Sequence, residues 1–204
     1  MAEPIRVIVA ITGASGVVYG VRALDKLAEA GVETHLVITR SGIATLSHET
    51  DLSVQDVRDR AAVVHSPHDL GASISSGSFR VAGMLVAPCS VRTLSGIANS
   101  YDEDLVVRAA DVTLKERRRL VLLLRETPLH AGHLRLMSQV TESGAVVMPP
   151  VPAFYTRPAS VEEIVDDTVA RALDLLGLDV GNDRRWTGER NRTRQDTPRE
   201  GARP

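Results

Sequence analysis

Ile5-Arg-Val-Ile-Val-Ala-Ile11-Thr-Gly13-Ala-Ser-Gly16-Val17 is the stretch that decides the fold. Ile5–Ile11 is a nearly continuous β-branched run without a turn residue, the pattern of a strand buried on both faces of a parallel sheet. Gly13-Ala-Ser-Gly16 turns the chain into an amphipathic helix, Val17–Ala30, which ends before Gly31. Glu33–Thr39 reads as a second strand, and Ser41 as the cap of a helix running to about His48. Strand, helix and strand together predict a β-α-β unit with a right-handed crossover.

The alternation continues outward from that unit. Asp51–Ser78 is polar and irregular, with an apolar patch at Ala61–Val64 suited to an edge strand and a loop of small residues at Ser73–Ser78. Val81–Ala87 reads as a buried strand, followed by Pro88-Cys-Ser90 and a helix through about Ala98. Val106–Arg117 predicts a helix, Leu120–Leu124 a strand, His130–Ser143 a helix closed by Gly144, and Ala145–Met148 a short final strand. Pro149, Pro150 and Pro152 then block regular structure. Ser160 caps a last helix, Val161–Leu176, with Glu162 and Glu163 in its first turn. The expected fold class is α/β, a three-layer αβα sandwich on a mostly parallel sheet. A single domain is expected over residues 1–186, with a polar, arginine-rich and mobile tail over 187–204.

A chain of 204 residues supports one such core and is short for two. The net charge of −2 does not advertise a nucleic-acid or anionic membrane partner. No apolar run is long enough to span a bilayer, and Met-Ala-Glu-Pro-Ile-Arg lacks the plan of a signal peptide, so a cytoplasmic location is expected. Cys89 is the only cysteine, which excludes an internal disulfide; the six histidines show no metal-ligand spacing, and no metal is expected.

Two strand–helix junctions carry small or hydroxylic residues, Gly13-Ala14-Ser15-Gly16 and Ser90-Val91-Arg92-Thr93. Helix amino ends attract anions, and small residues let backbone N–H groups approach a ligand. Neither junction is a G-x-G-x-x-G or Walker pattern. Two of them in one sheet favour a phosphate-bearing mononucleotide. Between Arg108 and Arg125 the chain carries five arginines and one lysine around the apolar run Leu120–Leu124. That run holds Arg125 and Glu126 at the carboxyl end of a strand, where ligands bind in open α/β sheets. Arg108, Lys115 and Arg125 therefore read as anion ligands, Glu126 as a carboxylate ionised among cations that orients them, and Arg117–Arg119 as a solvated triplet. Glu49, in His48-Glu49-Thr50-Asp51, is by residue type an ordinary surface carboxylate, and Cys89 a small buried residue.

Taken in order, Gly13-Ala-Ser-Gly with Tyr19-Gly20, Glu49-Thr-Asp, Ala87-Pro-Cys-Ser, Arg108-Ala-Ala-Asp-Val-x-Leu-Lys115-Glu-Arg-Arg, Arg125-Glu-Thr-Pro and Pro149-Pro-x-Pro-x-Phe-Tyr155-x-x-Pro resemble the UbiX-type flavin prenyltransferases over about residues 5–186. Ser73-Ile-Ser-Ser-Gly-Ser-Phe79 and Arg184-Arg-Trp186 are similar to the branch associated with phenolic or hydroxyarylic acid decarboxylases. The resemblance implies a flavodoxin-like or Rossmann-like sandwich assembled as a dodecamer of trimers. It implies transfer of a dimethylallyl group from dimethylallyl phosphate to N5 and C6 of reduced FMN, giving prenylated FMN for a UbiD-type decarboxylase. It implies that Gly13, Ala14, Ser15, Thr39, Ser90, Val91, Arg92, Thr93 and Arg125 hold FMN. Arg108, Lys115, Glu126, Tyr155 and Arg171 would gather round the dimethylallyl phosphate, with Trp186 near the allyl group, some of them from a neighbouring subunit. Catalytic roles fall to Ser15, Glu49, Arg108, Lys115 and Glu126, with Glu49 transferring a proton. Thr39 stands where the family often has serine, and Leu124 where it often has proline. The rival readings are a flavin-dependent cysteine-type decarboxylase, which would want a histidine that Val17–Ala30 lacks, and a non-catalytic FMN-binding subunit of a decarboxylase.

Overall fold

A computed structural model describes residues 3–180. Six parallel strands form one sheet: β1 (Arg6–Ile11), β2 (Glu33–Ile38), β3 (Val63–His65), β4 (Gly83–Cys89), β5 (Arg119–Leu124) and β6 (Val146–Val147). Their order across the sheet is β3-β2-β1-β4-β5-β6. The expected three-layer sandwich is present, with every strand pair parallel rather than most of them.

The core explains the apolar runs. Alternate residues of each central strand point to opposite faces. Val7, Val9 and Ile11 pack with α1 (Val17–Glu29) and α7 (Val161–Leu175), and that layer also takes in Leu46 of α2 (Arg40–Glu49) and Val57 of α3 (Val54–Arg58). Ile8 and Ala10 pack on the other face with α4 (Val91–Ala98), α5 (Leu105–Lys115) and α6 (Ala131–Glu142). Residues 7–11, 84–87 and 120–123 are at most 1% exposed, so an alternating pattern had no solvent face to record.

Several boundaries differ from the sequence reading, each for a tertiary reason. Thr39, not Ser41, caps α2: its hydroxyl accepts the Gly42 N–H at 3.0 Å. β4 runs on to Cys89, past the proline expected to end it, with an irregular register between Val86 and Cys89. The region expected to be irregular holds α3, opened by a reciprocal cap between Ser53 and Asp56, and the edge strand falls at Val63–His65. Arg118 is not a solvated member of its triplet. Arg117 adopts a left-handed conformation (φ 56°) after α5, and the turned chain lets the Arg118 guanidinium donate to Gly77 O and Phe79 O at 2.7 and 2.8 Å.

Helix α1 starts at Gly16, whose φ of 101° suits glycine alone; a Cβ there would lie 2.9 Å from the Tyr19 ring. The strand order reverses between β1 and β4, so the crevice beyond their carboxyl ends is the topological switch point of the sheet.

Candidate functional site

Three helices begin beside that switch point, and each amino end is closed by a different side chain. Thr39 caps α2. Ser90 caps α4, accepting the Thr93 N–H at 3.2 Å with its hydroxyl 3.1 Å from that of Thr93. Glu49 closes α1 from a distance in sequence: the Gly16 N–H donates to both carboxylate oxygens (2.8 and 3.1 Å) and the Val17 N–H to one of them (3.0 Å). The first N–H groups of a helix have no partner within the helix, and the macrodipole adds a positive potential there. Gly13 lets two of these ends converge. A Cβ at Gly13 would fall 2.3 Å from the Ser41 Cβ, and one at Gly42 would fall 2.6 Å from Ile11 O.

The resulting cleft, of about 460 Å³, is lined on its β1/β2 side by Gly13, Thr39 and Ser41 and on its α4 side by Ser90, Arg92 and Thr93. It continues past Ser95, Gly96 and Asn99 to Tyr101, Glu103 and Asp104. Arg92 is well exposed and donates to Glu103 across this rim at 3.0 Å. Arg125 leaves β5 beside the cleft, since its N–H donates to Cys89 O at 3.1 Å; its neighbour Glu126 is exposed and accepts the Thr127 N–H.

The other expected cations are spread more widely. Helix α5 starts at the cleft, where Val107 lines it, and runs away; Lys115 lies about 12 Å further along the axis at 1.5 Å per residue. Arg108 donates to Ser75 O at 3.3 Å and to Asp102 at 3.0 Å, with Asp111 at 3.5 Å. Lys115 pairs with Glu116 at 2.8 Å and holds Glu116 below the usual carboxylate range. A Cβ at Gly77 would meet both side chains, so the segment Ser73–Phe79 lies directly along this face of α5. Tyr155 sits on an exposed 3-10 turn, Phe154–Thr156, that Thr156 ties to Asp167 of α7 at 3.0 Å. Arg171 lies on α7 itself and pairs with Asp174. Helices α5 and α7 cover opposite faces of the sheet, so one chain does not unite Arg108 and Lys115 with Tyr155 and Arg171.

Comparison with known proteins gives this geometry its context. A flavoprotein family model matches residues 1–173. The flavin prenyltransferase UbiX of Thauera aromatica is 55% identical over 92% of this chain and 96% of its own length. The crystal structure of AnUbiX in complex with FMN and dimethylallyl pyrophosphate superimposes with a TM-score of 0.90 at 50% identity, covering 92% of this chain and all of that one. The dodecameric FMN-dependent UbiX-like decarboxylase from Escherichia coli O157:H7 gives a TM-score of 0.87 at 48% identity, over 90% of this chain and 100% of that one. The chain belongs to the UbiX flavin prenyltransferase family.

Of the residues expected from the sequence to hold a flavin, the cleft itself is lined by Gly13, Thr39, Ser90, Arg92 and Thr93, while Ala14, Ser15 and Val91 lie in the same two junctions. Ser41, Asn99 and Tyr101 line it too, though no motif marked them as ligands; Ser41 drew notice only as a cap. Trp186 lies outside the described residues, as does the boundary between domain and tail. Cys89 is fully buried, and burial pushes its thiol up to about 12, which removes it as a nucleophile.

Proposed function

We propose that this UbiX-family chain transfers a dimethylallyl group from dimethylallyl phosphate to reduced FMN and delivers prenylated FMN to a UbiD-type decarboxylase. The observation that carries the reading is the convergence of two capped helix amino ends, those of α2 and α4, with the Gly13 loop on one cleft at the sheet's switch point. That arrangement suits a phosphate monoester: small Gly13 beside Ser41, the hydroxyls of Thr39, Ser90 and Thr93, and Arg125 at the next strand end. Gly13, Ala14, Ser15, Thr39, Ser90, Val91, Arg92, Thr93 and Arg125 hold FMN, which when bound and reduced supplies the nucleophilic positions N5 and C6.

Leaving of the allylic oxygen concentrates negative charge on phosphate. Arg108, Lys115, Tyr155 and Arg171 are donors fit to stabilise it, with Glu126 orienting the cations. Because these groups lie on two faces of one chain, a complete donor set is assembled from neighbouring copies, in keeping with trimers within a dodecamer. Glu49 and Ser15, at the amino end of α1, hold and move the proton lost on ring closure. No helix among the described residues is long and apolar enough to cross a membrane, and we place the protein in the cytoplasm. The domain is read as residues 1–186.

The test is anaerobic incubation of the purified protein with reduced FMN and dimethylallyl phosphate, then mass spectrometry of the released flavin. A mass gain of one dimethylallyl unit is expected. Unmodified flavin recovered from protein that binds FMN, with the pyrophosphate donor also tried, would overturn the reading in favour of an FMN-binding accessory subunit.

A further inference from the structure

Thr12 follows β1 directly, is 1% exposed, and makes contacts that belong to neither its own strand nor its own loop. Its hydroxyl donates to Pro88 O at 2.8 Å and accepts the Ser90 N–H at 2.9 Å; its own N–H donates to Pro88 O at 3.3 Å. One buried side chain therefore ties the end of β1 to the end of β4 through both its donor and its acceptor capacity. The residues on either side of the tie are the two halves of the cleft, Gly13 on one chain segment and Ser90 on the other. The adjacent Cys89 O takes the Arg125 N–H, which extends the same cross-strand tie to β5.

We propose that Thr12 is a positioning residue for FMN: it sets the spacing between the Gly13-Ala-Ser loop and the amino end of α4, so that both meet one ligand. The proposal rests on the cleft being the FMN site. A valine at this position keeps the shape and removes both hydroxyl bonds. The partly buried Ser90 N–H then loses its acceptor, which a folded chain relieves by moving the Ser90 junction away from β1. Serine keeps both bonds and loses one methyl group. Packing alone would favour valine over serine; positioning by hydrogen bonds favours serine over valine.

The experiment measures FMN dissociation constants by flavin fluorescence, and melting temperatures of the ligand-free proteins, for wild type, Thr12→Val, Thr12→Ser and Thr168→Val. Thr168 is a buried threonine of α7 whose hydroxyl bonds Ile164 O at 2.8 Å, away from the cleft, and it controls for simple loss of a buried hydroxyl bond. FMN affinity is expected to fall about tenfold or more in Thr12→Val, to stay within about threefold of wild type in Thr12→Ser, and to be unchanged in Thr168→Val even where melting drops. Folded Thr12→Val with wild-type affinity overturns the proposal, as does Thr12→Ser weakened as much as Thr12→Val. If Thr12→Val does not fold, amide exchange in the wild-type ligand-free protein decides: a protected Ser90 N–H supports the tie, and free exchange overturns it. Failure of wild type itself to bind FMN would instead refute the site on which the proposal rests.

Discussion

The Glu49 carboxylate closes the amino end of α1 on Gly16, with the Gly16 and Val17 N–H groups all within 3.1 Å of its oxygens. A side chain at the end of α2 thus serves as the missing cap of a different helix. The same contact fixes the position of the Glu49 carboxylate. Glu49→Gln keeps an acceptor oxygen for the two N–H groups and loses the titratable site. It is expected to melt near wild type while turnover falls about 10²-fold or more. Glu49→Ala loses both functions and is expected to be less stable by about 1 kcal/mol, the usual worth of an amino-terminal cap. Wild-type turnover in Glu49→Gln would leave Glu49 with a capping role only.

Lys115 and Glu126 are exposed or half-exposed in the isolated chain and hold up no part of its core. Lys115→Ala and Glu126→Gln should therefore fold and bind FMN normally, with prenyl transfer reduced about 10²–10³-fold, the range seen when one preorganised donor is removed elsewhere. Single-turnover rates at saturating dimethylallyl phosphate, set against FMN titrations, check this. A parallel loss of FMN binding would place both residues in the wrong site.

Cys89 provides a direct reading of core integrity. With its thiol pushed up to about 12, only about one molecule in ten thousand carries a thiolate at pH 8, and none of the residue is exposed. The native protein is expected to leave a disulfide reagent unreacted over hours, and the denatured protein to release one equivalent. Cys89→Ala should retain prenyl transfer. Rapid labelling of the native state would show that the β4 end opens.

Stability should fall with pH through one histidine pair. His35 Nδ1 lies 2.9 Å from His65 Nε2, a spacing that holds one proton, and Phe79 packs edge-on against His35. Burial, then the neighbouring His35 charge, lowers the His65 pKa from its usual 6.5, with Asp69 opposing; Glu33, itself bonded to Arg6, faces the far nitrogen of His35. The unfolded chain takes up the His65 proton at a higher pH than the native one, so stability present above pH 6.5 is lost as the pH drops through the native pKa. Melting temperatures should decline between pH 7 and 5, and less steeply in His65→Gln. An equal slope in that variant would assign the decline elsewhere.

Arg118 straps the Ser73–Phe79 segment to the turn between α5 and β5 by two charged hydrogen bonds to carbonyl oxygens. Arg118→Ala is expected to cost about 2 kcal/mol and to speed amide exchange within residues 73–79. Arg118→Lys, which cannot span both carbonyls, should recover only part of the loss. Unchanged exchange in both variants would remove the strap from the account.

How much of this was legible in the sequence depended on the range of the physics involved. Ile5–Ile11 and Gly13–Gly16 act within a few residues, so strand, turn and helix could be read in place, and the Ser90 junction likewise. Boundaries slipped where a distant contact decides. Pro88 looked like a strand end, yet the end of the neighbouring strand β1 uses its carbonyl, through Thr12. Thr39 and Ser41 are chemically equivalent caps, and the close approach of Gly42 to Ile11 O selects Thr39. Arg118 resembled its neighbours until the left-handed Arg117 turned it toward carbonyls some forty residues upstream. Asn99 and Tyr101 carry no motif and reach the cleft only by the packing of α4. Arg108, Lys115, Tyr155 and Arg171 could be named from family likeness, but no local rule said that they would face two sides of the sheet.

The two shortest strands occupy the two margins of the sheet: β3 with three residues and β6 with two. Unpaired strand margins are where chains add to one another in open-ended fashion, and short ones offer few groups to template such growth. Copies of this protein are thereby steered to meet through helices and turns, such as the exposed Phe154–Tyr155 corner, rather than by extending the sheet. Contacts of that kind can close on themselves, so the brevity of two strands favours a finite shell of subunits over a fibre.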